Sequence, residues 1–278
     1  MARERITLKS NADIVLMREA GLITAAALKA VRDAIAPGIS TLELDAIAES
    51  TIVSMGAKSN FKLVPGYKHT ICSSVNDEVV HGIPSKDKIL APGDIISVDC
   101  GAVTPAGWNG DAAFSLVVPG GDPELMAQRQ LISDACEGSL WAGIAAFAGA
   151  KRLNEVGRAV EKSIKAAGRY GILQDYIGHG VGRSMHEDPA VFNYQTRDLG
   201  PVIEPGLVIA IEPMITAGGQ AVKILADEWT VSSKDGSDSS HWEHTVARHS
   251  GGIWVLTAED GGVAGLAKYG ITPVPLES

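Results

Sequence analysis

Apolar positions along the 278-residue chain fall into two recurring blocks, each a pair of helices followed by strands. Between residues 11 and 36, Ile14, Met17, Gly21, Thr24, Leu28, Val31 and Ile35 recur at steps of three and four, which lays one mostly apolar stripe along a helix. Pro37-Gly38 stops it. Ser40 followed by Glu43 is a capping-box pattern that opens a second helix over 41–55, ended by Gly56. Strand-like runs follow at 71–75, 94–99 and 111–118, and Pro119-Gly-Gly-Asp-Pro123 breaks the chain. The pattern then restarts, with helices predicted at 124–147 and 153–167, the second ending at Gly168.

The second block repeats the first. A shift of 112 (147 − 35) lays Ile35 on Phe147, Ile52 on Ile164 and Gly56 on Gly168. A shift of 113 (205 − 92) lays Pro92-Gly-Asp-Ile-Ile-Ser-Val-Asp99 on Pro205-Gly-Leu-Val-Ile-Ala-Ile-Glu212. Both octets read turn, apolar strand, carboxylate. Amphipathic helices resemble one another by chance, but two such octets in the same order favour an internal duplication. The expected organisation is a single α+β domain over 1–278, with like halves at about 11–119 and 124–260. Packing those halves together would bring Asp99 and Glu212 near a pseudo-twofold axis. Residues 262–278 read as a loosely attached tail.

With 45% apolar and 21% charged residues, the composition is that of a folded globular protein. The 24 basic and 33 acidic residues give a net charge of −9, which argues against a nucleic-acid surface. Cys72, Cys100 and Cys136 are odd in number and in no metal-finger spacing, so they read as free thiols in a reducing compartment. The start, Met1-Ala-Arg-Glu-Arg-Ile-Thr-Leu-Lys9, lacks the apolar core of a signal peptide. No run approaches the roughly 20 apolar residues that span a bilayer. The expectation is a cytoplasmic protein with no membrane contact.

The chemistry gathers around carboxylates and histidines. Asp99 closes the run Ile-Ile-Ser-Val, and Glu212 closes Val-Ile-Ala-Ile. A charged carboxylate at the inner end of a buried strand is costly unless it is paired or binds a metal. Either residue alone reads better as a strand emerging into water, and the repeat brings the metal reading level with it. Asp111 begins Ala-Ala-Phe-Ser-Leu-Val-Val, and Glu243 sits in His-Trp-Glu-His-Thr-Val; each alone is an ordinary turn or surface acid. His179 lies in Gly178-His-Gly-Val-Gly182, whose small neighbours let backbone approach an ion or ligand. That segment lacks the full spacing of a dinucleotide fingerprint. Taken together, four carboxylates balance two divalent cations, and one imidazole completes an oxygen-rich set suited to Mn, Fe or Co, with Zn as a further option. Such a centre lowers the pKa of a shared water and performs hydrolysis. His81, in Val80-His-Gly-Ile-Pro84, and His186, in Met185-His-Glu-Asp-Pro189, are then candidates for proton transfer and oxyanion stabilisation.

Val-His-Gly-Ile-Pro, Val-Asp-Cys-Gly, Gly-Asp-Ala-Ala, Gly-His-Gly-Val-Gly, Met-His-Glu-Asp-Pro, Ile-Glu-Pro-Met and Trp-Glu-His-Thr occur in this order. In that set the chain resembles the type I methionine aminopeptidases, from about residue 7 to 260. The resemblance implies the pita-bread fold, a curved antiparallel sheet backed by two helix pairs in pseudo-twofold halves. It places the family's five metal ligands on Asp99, Asp111, His179, Glu212 and Glu243, holding two divalent ions drawn from Co, Mn, Fe or Zn. The implied reaction removes the N-terminal methionine of nascent polypeptides when the second residue is small. A hydroxide shared by the ions attacks the scissile carbonyl, with Glu212 as proton acceptor. His186 stabilises the oxyanion and His81 hydrogen-bonds the amide on the leaving side. Tyr67, Cys72, Met185 and Trp229 match the family's methionine pocket, though each alone reads as core packing. The chain itself begins Met-Ala, which by the same rule would make it a product of its own activity.

The sequence departs from that pattern in places. Asp99 and Asp111 are 12 apart (111 − 99), one more than the family spacing, and the extra residue falls in Thr104-Pro-Ala-Gly107, read as a hairpin tip where insertion is cheap. Asn109 stands where the family often has His, Met185 where it has an aromatic residue, and His241 where it usually has Gln. His241 adds a titratable group near the metals and is expected to alter the pH profile. No Cys-rich extension or Pro-rich linker precedes the domain, as in the minimal form of the family. Transient ribosome association fits an enzyme of nascent chains, without a basic patch to argue for it, and nothing demands an oligomer. Two rivals share the fold: a hydrolase of Xaa-Pro bonds, which usually carries an extra N-terminal domain, and a non-catalytic binding module, which lacks the ligands.

Overall fold

The computed structural model describes residues 6–277, so the Met1-Ala start and the leader reading made there fall outside the described residues. Helix α1 (Asn11–Ala34) buries six positions of its predicted stripe, and the seventh, Ile35, is buried as its C-cap. It opens on a capping box in which Ser10 accepts from the Asp13 amide and Asp13 accepts from the Ser10 amide. Helix α2 (Thr41–Ser54) opens on the predicted Ser40–Glu43 box. Helices α3 (Pro123–Gly149) and α4 (Asn154–Ala167) form the second pair, α3 starting from an Asp122 cap with Pro at its first turn.

Each pair backs its own part of one curved antiparallel sheet. The central strands run side by side in the order Ile95–Val103, Asn109–Val117, Glu243–His249, Leu207–Ile211. The first two form a hairpin that covers α1 and α2 with Ile96, Val98, Cys100, Ala112 and Phe114. The last two meet α3 and α4 through Ile209, Ile211 and Val246, packed with Leu140, Ile144, Phe147 and Val160. Both halves thus follow the same order, helix pair then strands, and they join where Glu243–His249 pairs with Asn109–Val117. This is the pita-bread architecture.

Two expectations need correction. Asp99 does not end its strand: pairing continues through Val103, because Gly101, Ala102 and Val103 are the partners of Asp111, Gly110 and Asn109 across the hairpin. The charge interrupts the hydrophobic run without interrupting the ladder. Glu212, by contrast, stands just past the end of Leu207–Ile211. Residues 262–277 are not loosely attached. A short helix, α5 (Val263–Ala267), buries Leu266 against the second core, the Val274 amide donates to Ile253 O at 2.8 Å, and His249 Nε2 donates to Val274 O at 2.8 Å. Among the described residues, no helix is long and apolar enough to cross a membrane.

Candidate active site

The sheet register assembles the acids. Cys72 of the strand Ile71–Val75 pairs with Asp99, Asp99 pairs with Ala113, and Ala113 pairs with Glu243. Paired residues lie on one face, so these four form a row across the sheet. Asp111 is two positions from Ala113 and points the same way. Glu212 follows Ile211, the partner of His244, which brings it level with Glu243. His179 arrives on the short strand Gly178–Gly180, squeezed between Glu187–Val191 and Leu207–Ile211. A Cβ on Gly178 would strike the Ala210 carbonyl, and one on Gly180 that of Asp188, so only glycine fits on either side of the histidine.

These groups close on one another. His179 Nε2 lies 3.3 Å from Glu212 Oε1, and its Nδ1 faces Gly180 O at 2.9 Å, which leaves Nε2 free to bind an ion. Ligand atoms of Asp111, His179 and Glu243 all lie within 4.8 Å of one another, as do those of Glu212, His241 and Glu243. Burial drives the Asp99 carboxyl up to about 7. Asp111, Glu212 and Glu243 are pushed far above the carboxylate range by burial and then by mutual repulsion. Burial likewise holds His179 down at about 3, in the neutral form that binds metal. Asp99 Oδ1, Asp111 Oδ1 and Glu243 Oε1 are buried without a hydrogen-bond partner. Orphaned acceptors packed together at this cost are what a set of cation ligands presents, and the donors suit a divalent ion.

Both candidate catalytic histidines stand at the rim. His81 adopts φ of 59°, a left-handed backbone that residues with a side chain seldom take and that concentrates at functional sites. Its ring meets Tyr176 edge-on at 5.7 Å, and His186 meets His179 edge-on at 4.3 Å. Burial keeps both below the ordinary imidazole pKa. Beside the acids opens a cavity of about 150 Å³ lined by Tyr67, Cys72, Met185 and Trp229. Tyr67 Oη donates to Ile71 O at 2.7 Å and lies 3.2 Å from Cys72 Sγ, while its ring meets Trp229 at 5.1 Å. The wall is completed by Phe61 and Val64, which sequence reasoning missed. They sit at a single 3₁₀ turn, Phe61–Leu63, too short to carry a periodic signal. A second cavity, about 370 Å³, reaches the same centre past His81, His186, Glu212 and His241.

The family model for metallopeptidase family M24 matches residues 15–249. The chain is 46% identical over 260 residues to methionine aminopeptidase 1 of Mycobacterium tuberculosis, covering 92% of this chain and 96% of that one. It is 40% identical over 252 residues to methionine aminopeptidase 1 of Bacillus subtilis, covering 91% and 99%. The chain is a methionine aminopeptidase of family M24. The crystal structure of the Thermotoga maritima methionine aminopeptidase superimposes with a TM-score of 0.86 at 36% identity, covering 92% of this chain and all of that one. Prolidase from Pyrococcus furiosus shares the fold, with a TM-score of 0.65 at 23% identity and 65% of its length covered.

Against that family, the departures take on physical roles. The extra residue between Asp99 and Asp111 sits in the tip at 104–108, beyond the last pair Val103↔Asn109, so the register that puts both acids on one face is untouched. Asn109 is a structural tie: its Nδ2 donates to Gly182 O at 3.0 Å, and its Oδ1 accepts from Asn60 at 3.2 Å. Thr245 clamps Asp111 from both sides, accepting from its amide at 3.0 Å and donating to its carbonyl at 2.8 Å. Lys9 reaches Glu187, next to His186, at 2.7 Å with the lysine almost wholly buried. Neither Thr245 nor Lys9 was legible as part of the site, because both act through backbone or a neighbour.

Proposed function

We propose that the chain is a metal-dependent aminopeptidase that removes the N-terminal methionine of nascent polypeptides when the second residue is small. The observation that carries this reading is the juxtaposition of buried, partnerless carboxylate oxygens on Asp99, Asp111 and Glu243 with an apolar cavity walled by Tyr67, Cys72, Met185 and Trp229. Divalent ions held by Asp99, Asp111, His179, Glu212 and Glu243 would polarise the scissile carbonyl and lower the pKa of a nucleophilic water. Two ions of Mn, Fe, Co or Zn balance the four carboxylates.

Everything else falls to the chain's own residues. The methionine thioether enters the cavity, where sulfur meets the rings of Tyr67 and Trp229, a contact worth about 0.3–1.5 kcal/mol. Orientation of the peptide against the acids then supplies much of the rate. Glu212 accepts the proton given up by the attacking water. His186, at the rim of the cavity, where partial desolvation favours its neutral form, donates to the oxygen that gains charge at the tetrahedral stage. His81 hydrogen-bonds the amide on the leaving side. The buried free thiols at Cys72, Cys100 and Cys136 suit a reducing cytoplasm.

The likeness to prolidases extends to the fold, and the aromatic, sulfur-lined cavity favours an extended apolar side chain ahead of the cleaved bond. Release of free methionine from Met-Ala-Ser is the test, beside a proline-containing peptide, before and after chelation and after adding back Co or Mn. Release that chelation abolishes and metal restores is expected. Preferential cleavage of the proline peptide, or activity indifferent to metal, overturns the reading.

A further inference from the structure

His241 lies at the end of the strand Ser239–His241, and its backbone is held on both sides. Its amide donates to Ser97 Oγ at 3.2 Å and Ser115 Oγ at 3.1 Å, and its carbonyl accepts from Ser115 Oγ at 3.0 Å. Those serines belong to the strands that carry Asp99 and Asp111, so the imidazole is registered against the acids by main chain. The residue is 2% exposed, yet its Nε2 has no hydrogen-bond partner. That nitrogen points at Glu212, 3.7 Å from Oε2, while His179 Nε2 stands 3.3 Å from Oε1 of the same carboxylate. One imidazole therefore faces each oxygen of Glu212.

A separation of 3.7 Å is too long for a hydrogen bond. It is within reach of a shared ion: a metal bonds nitrogen and oxygen at about 2.0–2.2 Å each, so two ligands of one ion can be up to about 4.2 Å apart. The ligand atoms of Glu212, His241 and Glu243 also fall within 4.8 Å of one another, forming a second triad beside that of Asp111, His179 and Glu243. We infer that His241 is a sixth metal ligand, giving the centre two imidazoles where the family pattern, with Gln at this position, supplies one. The inference rests on reading the cluster as a metal site. An added imidazole shifts preference toward Co, Zn, Ni and Fe and away from Mn, which favours oxygen donors.

X-ray absorption of the cobalt-loaded wild-type protein counts imidazoles around the metal directly. Two per pair of ions are expected, falling to one in His241→Gln. Calorimetric titration should show His241→Gln losing at least about tenfold in Co affinity, with Mn affinity changed by less than about threefold. One imidazole in the wild type overturns the inference and leaves the metal site intact. Equal Co affinity in the two proteins, with one unchanged absorption spectrum, does the same. A wild type that binds no divalent ion removes both the inference and the reading beneath it. The wild-type count stands even if the variant fails to fold.

Discussion

Asp99→Asn separates what the acid cluster does for chemistry from what it costs the fold. Burial raises the Asp99 carboxyl from 3.8 to about 7. The folded, metal-free protein therefore holds a proton on Asp99 between those values while the unfolded chain does not, and stability falls as pH rises through that window. At 1.36 kcal/mol per unit, this difference in proton affinity costs the metal-free fold about 2 kcal/mol at pH 5, where the folded carboxyl is still protonated, and about 4 kcal/mol at pH 8, where the loss levels off. Asn keeps the shape without the charge and can donate to the acids around it. Metal-free Asp99→Asn should thus be more stable than wild type at pH 8 by about 4 kcal/mol, and the advantage should shrink by about half at pH 5. Saturating metal should reverse the order, because the wild type, with its full set of carboxylates, gains more binding energy from it. Urea unfolding of both proteins at the two pH values, with chelator and with excess Co, measures all four states. Equal loss of stability from pH 5 to 8 in both metal-free proteins would show that burial does not raise the Asp99 carboxyl as described.

The remaining predictions address neighbouring parts of the machine. His81→Ala should retain its metal and lose about 100-fold or more in turnover of Met-Ala-Ser, and loss of metal by elemental analysis would contradict a role in proton or hydrogen-bond transfer. Gly110→Ala should lower stability by about 1–3 kcal/mol, because the new Cβ would lie 2.8 Å from the Gly21 amide of α1 and both partners are backbone; an unchanged melting temperature would mean the helix can shift. Lys9→Met leaves the Glu187 carboxylate without its cation, at a cost of about 3 kcal/mol. It should also lower kcat by loosening the segment that carries His186, and wild-type kinetics would show that the pair only anchors the chain.

Much of this was legible because the relevant signals are periodic. The apolar stripe of α1 and the Ser40–Glu43 box gave their helices to within two residues. The paired octets around Asp99 and Glu212 marked the two strands that flank the centre. The Ser10–Asp13 box was missed because its third residue is Asp, where the pattern sought Glu or Gln. The tail was misread because its anchors are single contacts from Leu266, Val274 and His249, which leave no period in the sequence. Phe61, Val64, Thr245 and Lys9 were silent for the same reason: what each does depends on a partner distant along the chain.

The acids themselves illustrate how a sheet turns sequence into chemistry. A hairpin fixes side-chain facing by the sum of paired residue numbers, here 212 for Asp99↔Ala113 and Gly101↔Asp111 alike. A residue added within the ladder would change that parity and turn one acid into the α1 core. The extra residue lies in the tip instead, where Gly107 has φ of 80° and its amide donates to Thr104 O at 2.8 Å, closing the longer turn without disturbing the pairs. The departure in spacing that looked most damaging in the sequence is thus the one the fold absorbs most cheaply. The substitution of His for Gln at 241 leaves the spacing intact and changes the donors that face Glu212. What alters chemistry in this architecture is which atom a fixed backbone position presents to the row, and His241 presents a nitrogen.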